Sequence, residues 1–140
     1  MTDHPPNLDR ARLPRIPAEE VRLLWVSDFW DGPLEGIAEY RGERCLYVVA
    51  EPDRIGAPDE ERSWVLYRLT DEQLREQERW HALFVKYVGG HFDHTGTASP
   101  ELARKEDWER FYGPYQAEYR EPQLHRDQAV GWCDAFTVVR

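Results

Sequence analysis

Apolar residues recur along this chain with two different periods. From Val21 to Leu69 short runs of strand length alternate with turn residues: RLLWVSD, GIAEY, ERCLYVVA and SWVLYRL. CLYVVA is apolar at both alternating sets of positions, the pattern of a central strand covered on both faces. Arg41-Gly42, between EY and ERC, predicts a β-hairpin in which the glycine supplies a positive φ. FWDGPLEG and EPDRIGAPDEER separate the other runs and are rich in turn residues, so they read as connections.

Beyond Leu69 the period becomes helical. Thr70 and Gln73 form a capping box, and Asp71 and Glu72 sit in the first turn, where they complement the helix dipole. Leu74, Trp80, His81, Phe84, Tyr87 and Val88 fall near one stripe, which predicts a helix over 71–88. Ser99 followed by Pro100 opens a second helix with Leu102, Trp108, Phe111 and Tyr112 on its apolar side. Gly113-Pro114 is expected to break or kink it, with Tyr115 and Tyr119 on a further short turn. AVGWCDAFTVV then returns to the sheet as a fifth strand. Strands followed by helices predict an α+β fold, an antiparallel sheet of about four or five strands with two or three helices packed on one face. Residues 1–20, holding Pro5, Pro6, Pro14 and Pro17, read as an extended arm, and residues 21–140 as a single α+β domain.

Composition narrows the function classes. The 140 residues are enough to bury a core without disulfides, and six Trp, seven Tyr and five Phe supply one. The 27 acidic and 18 basic residues give a net charge of −9. Nucleic acid is therefore not an expected partner, because phosphate binding needs a surplus of Lys and Arg. No window approaches the roughly 20 apolar residues that span a bilayer, so no membrane is expected. MTDHPPNLDRARLPRIP lacks the apolar centre of a secretory signal, and Cys45 and Cys133 lie in strand-like runs. Two buried free thiols in a reducing cytoplasm are the expectation.

One stretch looks like chemistry. GGHFDHTG places His91, Asp93 and His94 within four positions, and these are zinc-type ligands. The string resembles part of the His-x-His-x-Asp-His motif of the metallo-β-lactamase superfamily, with His91, Asp93, His94 and Gly96 matching and Gly89 standing where the first His belongs. That motif follows a strand, whereas this one follows the predicted helix, so the match is read as coincidental. Gly89 and Gly90 are placed to end the helix instead. No cofactor is expected. A divalent metal such as zinc is the alternative, in a small metal-dependent hydrolase that uses the same loop.

Other candidates lie in the aromatic and acidic connections. Asp31 and Glu35 flank Gly-Pro-Leu, with Asp28 and Glu39 nearby, and such carboxylates serve either as turn residues or as acid–base pairs. Trp30, in the same connection, is either a core plug or an exposed contact. Trp108, Tyr112 and Tyr115 follow helical spacing, so they are core residues or a helical contact patch. No Gly-rich phosphate loop and no Gly-x-Ser-x-Gly setting is present. The expectation is a small acidic cytoplasmic binding domain without catalysis. It engages a protein partner through Trp30, Asp31, Glu35, Trp108, Tyr112 and Tyr115, a basic partner if the chain neutralises it as inhibitor or immunity proteins do. A small-ligand-binding domain is a further alternative.

Overall fold

A computed structural model describes residues 12–88 and 105–138. It consists of five antiparallel strands, a short sixth strand and two α-helices, so the fold is α+β, as the sequence patterning predicts. The strands are β1 (Val21–Phe29), β2 (Pro33–Tyr40), β3 (Glu43–Val49), β4 (Trp64–Arg68), β5 (Ala129–Cys133) and β6 (Thr137–Val138). The helices are α1 (Asp71–Tyr87) and α2 (Lys105–Glu118), inserted between β4 and β5. Contacts divide the chain into two compact units, Met1–Leu69 with Gln123–Arg140, and Thr70–Pro122.

In the sheet unit the strand order is β5-β4-β3-β2-β1-β6. Its two ends meet. On one side β6 runs parallel to β1, pairing Thr137 with Arg22 and Val138 with Leu23. On the other, residues 14–16 run parallel to β5: the Ile16 N–H donates to the Trp132 carbonyl at 2.7 Å, and the Trp132 N–H donates to the Pro14 carbonyl at 3.0 Å. β5 and β6 are consecutive in the chain, as are residues 14–16 and β1, so these pairings close the sheet on itself. Closure leaves β5 paired along both sides and removes a free edge there.

The strand alternation sorts side chains onto two apolar faces. The enclosed face gathers Ile16, Val21, Leu23, Ala38, Cys45, Tyr47, Trp64, Leu66 and Cys133. The other carries Ile37, Leu46, Val65 and Tyr67, with Trp25, Val48, Leu124 and Trp132 packed against them. β3 feeds both, which is why CLYVVA is apolar throughout. The β2–β3 hairpin turns on Arg41 (φ 52°) and Gly42 (φ 78°), positive at both positions as a two-residue type I′ turn requires.

One inner row depends on glycine. Gly36, Tyr47, Leu66 and Gly131 are register neighbours across β2, β3, β4 and β5. Tyr47 is fully buried and its hydroxyl donates to the Trp25 carbonyl at 3.1 Å. A Cβ on Gly36 would collide with that carbonyl oxygen and with the Tyr47 hydroxyl, so the phenol occupies the space a side chain at 36 would need. Gly131 does the same for the arm. A Cβ there would stand 2.6 Å from Ile16 Cδ1 and 2.8 Å from the Pro14 carbonyl. Phe136, between β5 and β6, adds ring contacts to Tyr47 and Trp64 at 4.8 and 4.7 Å.

In the helical unit the expected capping box opens α1: the Thr70 hydroxyl accepts from the Gln73 N–H and the Gln73 side chain from the Thr70 N–H. The break expected at Gly113-Pro114 does not occur, for α2 continues through Pro114 to Glu118. Proline removes one backbone donor, but aromatic packing spans the site. Phe111, Tyr115 and Tyr119 stack at i, i+4 spacing, with centroids 5.2 and 4.6 Å apart. Trp80 of α1 meets all three edge-on, at 6.1, 5.4 and 6.1 Å. Gln77, buried on α1, donates to the Tyr119 hydroxyl at 3.1 Å. Ser99, Pro100 and Leu102 lie outside the described residues.

Candidate functional site

The β1–β2 connection is a tight turn. Its chain reversal runs through Asp31 (φ 49°) and Gly32 (φ 124°), and the Trp30 N–H donates to the Gly32 carbonyl at 3.0 Å. Aspartate is among the few side chains that tolerate the left-handed region, and glycine meets no penalty there. The turn is then tied to the connection between β3 and β4. Arg62 Nη1 donates to the Trp30 carbonyl at 2.9 Å and to the Asp31 carbonyl at 3.4 Å. Trp64 Nε1 donates to the Pro33 carbonyl at 3.0 Å.

Arg62 is itself held by a fork. Its Nε and Nη2 donate to the two carboxylate oxygens of Glu60 at 2.6 and 3.1 Å, a bidentate pair that fixes the plane of the guanidinium. Glu60 also accepts from the Gly56 N–H at 2.9 Å. These donors, the Arg62 guanidinium first and the Gly56 amide second, hold the Glu60 carboxyl below the usual carboxylate range. Both side chains are largely enclosed, Arg62 at 12% and Glu60 at 14% exposure. The Trp30 indole rests against Gly56, where an added Cβ would come within 3.3 Å of its Cη2.

Trp30 is nevertheless 54% exposed. A large aromatic thus stands in water on a turn whose backbone is held from two sides. Asp31 is exposed beside it. Glu35 is half-buried on β2, opposite Asp28 of β1, and its backbone carbonyl accepts from the Ser27 hydroxyl at 3.2 Å. The other three predicted contact residues belong to the helical unit. Trp108, Tyr112 and Tyr115 are half-buried and pack against the Trp80, Val88 and Phe111 cluster. Burial pushes the Tyr112 hydroxyl above its ordinary range. Tyr115, stacked between Phe111 and Tyr119, serves the packing directly.

His91, Asp93 and His94 lie outside the described residues. Among the described residues no group of three or more His, Cys, Asp and Glu side chains is placed to hold a metal ion. Nor is any helix among them long and apolar enough to cross a membrane. No family model, curated protein or solved structure matches the chain.

The thiols are buried and carry raised pKa values: Cys45 at about 11, through burial and then Glu43, and Cys133 at about 12, through burial. At pH 8 about one Cys45 side chain in a thousand is thiolate, so native protein is expected to resist a thiol reagent that labels both residues in urea. Rapid labelling of the native protein would contradict this placement. The linkage follows from the sign of the shifts. A thiol pKa raised on folding contributes stability present below its unfolded value, and that contribution fades as pH rises toward 11 to 12.

Arg62, Glu60 and Gly56 are the site residues that sequence patterning misses. The connection EPDRIGAPDEER reads only as exposed and charged. A carboxylate two positions from the arginine that it grips has no periodic signature.

Proposed function

We propose that the chain is a small cytoplasmic domain that binds a protein partner, without catalysis of its own, through the turn bearing Trp30. The reading rests on one observation above the others: an indole 54% exposed on a backbone tied down by Arg62 and Trp64. Leaving that much apolar surface in water forgoes its burial energy on folding, and the same energy becomes available when a partner covers it. A pre-ordered turn also loses little conformational freedom on association. Exposed tryptophans in such settings are the side chains in which interfaces concentrate their affinity. The acidic character of the chain favours a basic partner surface and salt-sensitive capture.

Tagged protein and its Trp30→Ala variant, used for capture from source cells, test this reading. The wild type is expected to retain a stoichiometric partner, and the variant to bind it about thirtyfold more weakly, as truncation of a dominant contact does. The variant's melting temperature should fall by no more than about 5 °C, since more than half of the indole already stands in water. Equal capture by the two proteins would remove the basis of the proposal.

A further inference from the structure

The turn and the connection that braces it hold a concentration of negative charge. Residues 28–33 contribute Asp28 and Asp31, and residues 51–62 contribute Glu51, Asp53, Asp59, Glu60 and Glu61 against Arg54 and Arg62. Seven carboxylates against two guanidiniums leave −5, more than half of the chain's net −9. The Arg62 and Trp64 hydrogen bonds join these two segments, so their charges act together on the same side of the sheet unit.

Both guanidiniums are already matched. Arg54 meets Asp59 at 2.6 Å, and Arg62 meets Glu60 at 2.6 Å in the enclosed fork. The brace therefore fixes Trp30 without presenting a positive charge to an incoming group. Asp28 and Asp31, both exposed, form no ion pair among the described residues.

We infer that the Trp30 turn receives an arginine side chain of the partner protein, the guanidinium lying on the exposed indole with Asp28 and Asp31 as counter-charge. This rests on the protein-binding reading above and names the chemistry of the occupant. The indole face is electron-rich and attracts a cation, and a planar guanidinium stacks on it while keeping its N–H donors free for carboxylates. An anionic ligand is repelled by the local −5. A purely apolar plug gains nothing from the carboxylates and desolvates them at a cost.

Two peptides test the inference, a short glycine–arginine peptide and the same peptide with neutral citrulline in place of arginine. The readout is the set of indole N–H nuclear magnetic resonance signals, with that of Trp30 identified by its absence in Trp30→Ala. The arginine peptide should shift the Trp30 signal saturably at low salt, and the citrulline peptide should not. The double variant Asp28→Asn with Asp31→Asn should bind about three- to fivefold more weakly, with its fold intact because asparagine accepts the left-handed conformation at 31. Four results would overturn the inference: no shift at Trp30, an equal shift with citrulline, comparable shifts at all six indoles, or unchanged affinity in the double variant. Loss of partner capture in Trp30→Ala without any response to the arginine peptide would leave the binding reading standing and remove this inference alone.

Discussion

Gly36→Ala is expected to destabilise the sheet unit by about 3 kcal/mol or more, near the upper end for overpacking a core. The added methyl has no room. It would stand 2.7 Å from Tyr47 Cζ, closer still to the Tyr47 hydroxyl, and against the Trp25 carbonyl oxygen. Tyr47 cannot swing aside, being fully buried and in ring contact with Phe136. Relief would require β2 to move away from β1 and β3, breaking ladder bonds on both sides. Thermal melting followed by near-ultraviolet circular dichroism checks the effect, with a fall of about 10 °C or more expected. Combining Gly36→Ala with Tyr47→Leu should recover part of the loss, because the phenol is one of the two groups that the methyl strikes, beside the Trp25 carbonyl. A Gly36→Ala protein as stable as wild type would mean that the Tyr47 ring does not lie over residue 36.

Trp80→Ala is expected to cost about 3–5 kcal/mol, the range for truncating a buried aromatic. Trp80 is 5% exposed and meets the stacked rings of Phe111, Tyr115 and Tyr119 edge-on, an arrangement that adds to its area burial. α2 carries a proline within it and depends on this packing for its continuity. Loss of helical circular dichroism together with increased proteolysis after residue 105 is the expected readout. Retention of full helicity and protease resistance would show that α2 holds together without the α1 indole.

What could be read from the chain alone was local. The Thr70–Gln73 cap is complete within four residues, and the Arg41-Gly42 turn within two, so both are recognisable without tertiary information. The two-sided covering of β3 is legible for the same reason, since alternation within six residues reports both faces. Closure of the sheet is not legible, because it depends on Arg15 finding Trp132 and Arg22 finding Thr137. Nothing near either partner marks that pairing. Pro114 misleads because its local penalty is real, and the compensation comes from rings placed before and after it and from α1. The sequence setting of Trp30 fits both a core plug and an exposed contact. Its structural setting depends on the Arg62–Glu60 fork, which fixes the backbone of the turn, and on Gly56, against which the indole rests.

Trp30 and Val85 are the large apolar side chains most exposed among the described residues, at 54% and 51%. Photocrosslinking from each, with benzoylphenylalanine replacing Trp30 in one protein and Val85 in another, asks directly which surface meets a partner. A single protein adduct formed from position 30 and suppressed by excess unlabelled wild-type chain is the predicted result. An adduct formed only from position 85, or from neither, would contradict the placement of the binding surface on the β1–β2 turn.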